Sequence, residues 1–248
     1  MLSFKQEGSG NHRSFFYLQL MEEKYKKEYL DYLLQFVSLN KQRRFEEVIR
    51  NRTRYITVVL EDIFQSHNAS AVMRSCDCFG IQDVYIIENR YPYTVNPDIT
   101  LGSTKWLNIE KYNLREDNTR GCLTALKEKG YILVATTPHR DGYRLNELPL
   151  ERKTALLFGT ELSGLSTAAL EMADCSVRIP MEGFTESFNI SVAAAICLYD
   201  LTQRLRKSSV PWQLSELERV NTLIGWASTV VKRPELHEKE FMNSRMRN

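Results

Sequence analysis

Three short segments hold the residue types that could do chemistry, and each follows a hydrophobic run. The first is His67-Asn68-Ala69-Ser70-Ala71-Val72-Met73-Arg74-Ser75. The second is Phe158-Gly159-Thr160-Glu161-Leu162-Ser163-Gly164. The third runs from Ile179-Pro180-Met181 to Ser187-Phe188-Asn189-Ile190-Ser191. Arg74 is a permanent cation whose fork suits a bidentate grip on a phosphate. Val72, Cys76 and Phe79 recur at i, i+4 and i+7 and predict an apolar helical stripe. Arg74 stands about 200° from Val72 at ~100° per residue, so it points away from the core. Ala69, Ser70, Ala71 and Ser75 keep the helix thin and leave room for a bulky ligand or partner. Ser66 or Asn68 has the side chain of an N-cap.

In the second segment, Gly159 and Gly164 bracket Glu161 and predict a tight loop whose backbone approaches a ligand closely. The spacing mimics a phosphate-binding P-loop, but Leu165 stands where the phosphate lysine must be. No Gly-x-Gly-x-x-Gly follows the first strand, where Asp62-Ile63-Phe64 stands, so a dinucleotide site is unsupported. Glu161 either caps the following helix or holds a partner group. In the third segment, Ser187 or Asn189 caps an alanine-rich helix, and the other aims a free polar side chain at the crevice that holds Glu161. Ala193, Ala194 and Ala195 imply close packing against another backbone. Of four histidines, only His67 adjoins one of these segments.

The elements that position these segments alternate. Tyr55–Leu60, Val84–Ile87, Tyr131–Ala135, Thr154–Phe158 and Cys175–Ile179 read as strands buried on both faces of a parallel sheet. Ala69–Phe79, Gly121–Lys129, Ser166–Ala173 and Asn189–Lys207 read as helices between and after them. The expectation is an open α/β sheet with helices on both faces, which binds ligands beyond the carboxyl ends of its strands. Thr136-Thr137-Pro138-His139, Gly159–Gly164 and Pro180–Asn189 all fall there. Domain limits follow: residues 1–20 disordered, 21–54 a basic helical extension, 55–207 the α/β domain, and 208–248 a C-terminal helical extension. Met21 opens a helical Met-Glu-Glu-Lys and is an alternative start. Within the last extension, 213–232 reads as an amphipathic helix before a polar tail.

The 248 residues are 43% hydrophobic and 26% charged, ordinary for a soluble globular protein with room for a real core. No run approaches the ~20 apolar residues of a spanning helix. Met1-Leu2-Ser3-Phe4-Lys5 lacks an apolar signal core and predicts no export. The five cysteines include Cys76-x-Cys78 without a matching pair at zinc spacing, so free thiols in a reducing cytoplasm and no metal are expected. The net charge of +2 hides an asymmetry: residues 1–54 hold eleven Lys/Arg against seven Asp/Glu, and 203–248 hold nine against five. Basic ends therefore flank an acidic centre, as suits a catalytic core whose extensions hold a polyanion.

In order and context, the three segments resemble the signature motifs of the SpoU/TrmH family of RNA ribose 2′-O-methyltransferases over roughly residues 55–207. Leu101-Gly102-Ser103-Thr104-Lys105-Trp106 also resembles a loop of that family. The resemblance implies a SPOUT-type fold with a deep C-terminal trefoil knot, an exception to the rule against knotted chains. It implies S-adenosylmethionine bound between loops 135–139, 158–164 and 179–189, with Thr136, Gly159, Gly164, Ile179, Met181 and Phe188 at the cofactor. Asn68, Arg74, Glu161, Ser187 and Asn189 match the catalytic positions, in a homodimer whose arginine works with a pocket across the interface. Arg74 would then clamp an RNA phosphate that accepts the ribose proton, with His67 the alternative base. Arg43, Arg44, Arg50, Arg52, Lys105 and Arg204 are the cations expected on RNA. Ribosomal-RNA members commonly carry a separate α/β N-terminal domain of about a hundred residues, for which 1–54 is too short. The chain is thus most similar to the enzymes that modify guanosine 18 in the D-loop of tRNA. A ribosomal-RNA methyltransferase and a knotted RNA-binding protein without catalysis are the alternatives.

Overall fold

The computed structural model describes residues 23–94, 96–138, 141–160 and 163–246. The segment 1–20 expected to be disordered, Met21, His139 and Glu161 lie outside them. In chain order the elements begin with α1 (Glu23–Leu34), α2 (Leu39–Ile49), β1 (Ile56–Glu61), α3 (Ser66–Phe79), β2 (Asp83–Ile87), α4 (Pro97–Thr100), β3 (Asn108–Tyr112) and α5 (Asn118–Glu128). They continue with β4 (Ile132–Thr136), β5 (Tyr143–Arg144), β6 (Thr154–Phe158), α6 (Thr167–Met172), β7 (Cys175–Arg178), α7 (Ile190–Lys207), α8 (Glu216–Val230) and α9 (Pro234–Met246). Residues 51–213 make one unit, and those up to 50 with those from 214 onward make another.

In the α/β unit, seven strands pair in parallel in the order β3-β2-β1-β6-β4-β7-β5. Successive side chains of the central strands enter opposite cores. Val58, Leu60, Leu156 and Phe158 pack with residues of α3 and α7. Val59, Ala155 and Leu157 pack with residues of α5 and α6. Burial on both faces is why these strands are apolar without alternation. Each fully buried Val, Leu or Ile contributes roughly 1.5–3 kcal/mol, so the two cores outweigh local propensity. The expected open parallel sheet with helices on both faces is present.

Two strands escaped the sequence reading. β3 is a half-exposed edge strand carrying Glu110 and Lys111, and β5 is a two-residue edge strand with both side chains exposed. Neither has an apolar run to betray it. The order of the last strands matters for the site: β7 enters between β4 and β5, both of which precede it. Gly142, just before β5, lies so close to β7 that a Cβ there would be 2.4 Å from the Ser176 carbonyl oxygen.

The termini of the α/β unit are tied in by Thr53, which bridges to Ile81 and to Gln213 and donates to the Trp212 carbonyl at 2.6 Å. Beside it, Arg52 is only 1% exposed; it forms an ion pair with Asp77 and donates to the Ile81 carbonyl at 3.0 Å. The sequence reading placed Arg52 on RNA, and this is corrected: its guanidinium caps the turn after α3 and has no face toward solvent. Replacing Arg52 by Met should lower the unfolding free energy by about 3–5 kcal/mol, because a buried pair loses one partner. Arg50→Ala, on an exposed side chain, should stay within ~0.5 kcal/mol. Urea denaturation of both variants checks the contrast.

The helical unit joins the two basic ends, which the sequence reading had kept apart. Ser215 and Glu218 form a reciprocal cap at the start of α8, with bonds of 3.3 and 2.8 Å. Val220, Leu223, Ile224 and Ala227 of α8 are buried at helical spacing. Phe45 of α2 meets Trp226 at 5.6 Å between ring centroids, and Tyr29 of α1 meets Phe241 of α9 at 5.1 Å. The expected polar tail is therefore the helix α9, whose few apolar residues such as Phe241 pack inward.

Candidate active site

Three loops leave the carboxyl ends of the neighbouring strands β6, β4 and β7 and enclose a cleft of about 610 Å³. Thr136, Gly159, Gly164, Ile179, Met181 and Phe188, all expected at the cofactor, line it together with Ser187. Open parallel sheets place their ligands at this edge, and a volume of this size suits a cofactor-sized molecule. The Thr136 hydroxyl is already used, donating to the Leu157 carbonyl at 2.7 Å. Ile179, Met181 and Phe188 supply apolar wall; Thr160, Ser163 and Ser187 supply hydroxyls.

The glycine loop is as tight as expected, for a different reason. Thr160 and Gly164 exchange two backbone hydrogen bonds of 3.0 Å and close the loop on itself. A Cβ on Gly159 would lie 2.2 Å from the Gly164 carbonyl carbon. The close approach that Gly159 permits is thus to its own loop. Gly164 has φ +67°, the left-handed conformation that glycine adopts freely.

A buried carboxylate that the sequence reading missed anchors the far end of this loop. Glu61, the last residue of β1, is 3% exposed. It accepts from the Ser166 amide at 2.9 Å, the Ser166 hydroxyl at 2.7 Å and the Thr119 hydroxyl at 2.6 Å. Ser166 in turn caps α6. The one sequence signal was an acidic pair, Glu61-Asp62, ending an apolar strand.

Asn68 and Asn189, 121 residues apart, meet: the Asn189 amide donates to the Asn68 side-chain oxygen at 3.2 Å. Asn189 also caps α7, its oxygen accepting from the Ser191 amide at 2.9 Å. It is therefore both the cap and a polar link between α3 and the cleft loop, and Ser187 keeps an uncommitted place in the cleft wall. Helix α3 itself starts at Ser66 with Gln65 as the cap residue, so neither Ser66 nor Asn68 has that role.

Val72 and Cys76 are fully buried and Arg74 is exposed, as the helical spacing predicted. Arg74 has no hydrogen bond or ion pair with any described residue. It does not line the cleft of its own chain. The thin helix surface is only partly open: Ala69 and Ser70 are buried, and the Ser70 hydroxyl lies 3.0 Å from that of Tyr93. Ala71 and Ser75 alone remain beside Arg74.

Cys197 borders the cleft, but burial and the nearby Asp200 push its thiol up to about 12, so it stays protonated and is no nucleophile at neutral pH. Among the expected RNA-facing cations, Arg43, Arg44, Arg50 and Lys105 are exposed. Arg204 is corrected along with Arg52: it pairs with Asp200 and donates to the Leu148 and Leu145 carbonyls at 2.8 and 3.1 Å, fastening α7 to the turn after β5.

The model of the SpoU rRNA Methylase family matches residues 55–199. A tRNA (guanosine(18)-2′-O)-methyltransferase of Borreliella burgdorferi is 46% identical over 200 residues, 81% of this chain and 90% of that protein. The crystal structure of the Aquifex aeolicus TrmH/SpoU tRNA modifying enzyme superposes with a TM-score of 0.69 at 32% identity, covering 78% of this chain and 98% of that one. The SpoU methyltransferase AviRb from Streptomyces viridochromogenes, crystallised with AdoMet, shares the fold at 23% identity, a TM-score of 0.55 and 65% coverage of both chains. With two of its motifs lining one cleft, the first tied to them through Asn68, and these likenesses along its length, the chain belongs to the SpoU methylase family.

Proposed function

We propose that this protein transfers a methyl group from S-adenosylmethionine to the ribose 2′-oxygen of guanosine 18 in the D-loop of tRNA. The observation that carries the reading is that the second and third motifs line one cleft, to which Asn189 ties the first motif through Asn68. Similarity to the Borreliella and Aquifex tRNA enzymes supports the substrate.

The cleft fits the cofactor. Its volume suits the group, its wall offers apolar side chains for an adenine, and its closed glycine loop offers backbone groups and hydroxyls. Bound S-adenosylmethionine supplies an electrophilic methyl group. The ribose hydroxyl is a poor nucleophile until it loses its proton. A guanidinium offers donors and no acceptor, so Arg74 cannot be that base. It grips an RNA phosphate through both arms of its fork, places that phosphate to take the proton, and stabilises the developing alkoxide. Asn68 and Asn189 hold the end of α3 against the cleft loop, and Ser187 meets the ribose from the cleft wall. Glu161, outside the described residues, completes the set.

Arg74 lies six residues beyond Asn68, about 9 Å along the helix and on another face. A homodimer resolves this, with Arg74 serving the cleft of the second subunit. Val192 and Tyr199 of α7, 44% and 60% exposed, lie on the helix that packs against α3 and supply apolar surface for such an interface. The chain is also knotted in this reading: β7 is threaded between two earlier strands, with Gly142 permitting the crossing. The free thiols suit a cytoplasmic protein.

The decisive test replaces guanosine 18 of a tRNA transcript by its 2′-deoxy form. Unmodified transcript should accept labelled methyl at that nucleotide, and the deoxy transcript should accept none. Label on the deoxy transcript would move the reaction to a base atom and refute the reading.

A further inference from the structure

Three loops leave the carboxyl ends of β1, β2 and β3, and each shows an exposed large apolar side chain: Phe64 is 63% exposed, Tyr91 38% and Leu114 87%. Two of them sit beside exposed arginines, Arg90 and Arg115, which form no ion pair with any described residue. These side chains stand on fixed backbone. The Asp62 carboxylate of the β1 loop accepts from the amides of Asn89 and Arg90 in the β2 loop at 2.7 and 2.8 Å. Asn118, at the end of the β3 loop, donates to the Glu88 carbonyl at 3.1 Å and accepts from the Arg115 amide at 3.0 Å. Phe64 and Tyr91 meet edge to face, with centroids 5.0 Å apart and planes at 77°. That geometry leaves ring surface open to solvent.

The strands that carry the strip follow those of the cleft in the sheet order. β1 is the neighbour of β6, and the β6 loop lines the cleft. At about 4.8 Å per strand, Phe64 lies roughly one strand spacing outward and Tyr91 roughly two. A nucleic-acid strand that runs from the cleft outward along this sheet edge would pass over both. Exposed aromatic rings interleaved with arginines are the surface that binds unpaired bases, the rings by stacking and the guanidinium groups by phosphate contact.

We propose that Phe64 and Tyr91 form a stacking platform for an unpaired nucleobase next to the methylated nucleotide, with Arg90 and Arg115 on the flanking phosphates. The proposal rests on the ribose-methylation reading for its direction along the strand. It is tested through binding, which that reaction does not enter. Filter binding of full-length protein loaded with S-adenosylhomocysteine, which has no methyl group to give, to unmodified tRNA transcript should give a roughly 5- to 100-fold higher Kd for Phe64→Ala/Tyr91→Ala. The thermal midpoint and cofactor affinity should hold, and Phe64→Tyr with Tyr91→Phe should restore tRNA binding. The slope of log affinity against log salt should be unchanged in the alanine pair, whereas Arg90→Gln should reduce it by about 0.7–0.9. A transcript carrying 5-iodouridine beside the target should cross-link to Phe64 or Tyr91. Wild-type tRNA affinity in the alanine pair would overturn the platform. So would a shift from dimer to monomer in sedimentation, which would make this face a contact between copies of the chain. Wild-type protein that binds tRNA through these residues yet methylates no ribose would refute the reaction and uphold the platform.

Discussion

Arg74→Ala should cost at least ~100-fold in methyl transfer, the range found when a preorganised charge-stabilising donor is removed. Folding and cofactor binding should survive, because Val72 and Cys76 on the opposite face stay buried and Arg74 bonds to no described residue. Arg74→Lys should fail almost as badly: an ammonium is a point charge and cannot reproduce the fork. Single-turnover transfer of labelled methyl, with cofactor affinity measured alongside, separates a chemical defect from a binding one. Near-normal turnover in Arg74→Ala would move the proton acceptor elsewhere, with the exposed His67 of α3 the next candidate.

Gly159→Ala should weaken the cofactor site by opening the loop from within. Its Cβ would fall 2.2 Å from the backbone of Gly164, and backbone cannot step aside as a flexible side chain could. The paired Thr160–Gly164 hydrogen bonds must break or the strand end must shift. Overpacking of this kind costs about 1–3 kcal/mol, which corresponds to roughly 5- to 150-fold weaker S-adenosylmethionine binding if the loss falls on the site. Gly164→Ala is the control: no neighbour lies within 4 Å of its added Cβ, and only the left-handed φ penalty of about 1–2 kcal/mol applies. Calorimetric titration with S-adenosylmethionine should show affinity falling further in Gly159→Ala. Unchanged binding there would mean the closed loop is not the form that holds the cofactor.

The central strands were legible because burial on both faces leaves continuous apolar runs, and the cleft followed from their carboxyl ends. Charge was less informative than its position. Arg52 falls just after the periodicity of α2 ends, where the chain turns inward, and counting basic residues cannot distinguish it from the exposed Arg50. Arg204 sits on a helical stretch whose outward face was assumed rather than derived; backbone carbonyls of the β5 turn claim it. Asn189 was readable as a cap because capping is local. Its bond to Asn68 was not, since spacing carries no information across 121 residues. Glu61 showed only as half of an acidic pair, and its role stayed hidden for the same reason, its partners lying on α5 and at the start of α6.

The insertion of β7 between β4 and β5 sets an order of events on folding. β1 and β2 can pair as they emerge, β4 waits for β6, which joins it to β1, and the other edge of β4 stays open until the chain has passed Cys175. The loop after β7 supplies Ile179, Met181 and Phe188, so the cofactor cleft is the last part of the sheet edge to exist. A chain stalled before that step has no place to bind S-adenosylmethionine, and the ligand therefore stabilises the finished molecule alone. Cofactor in the refolding buffer should therefore leave early strand pairing untouched and raise the share of finished molecules by mass action.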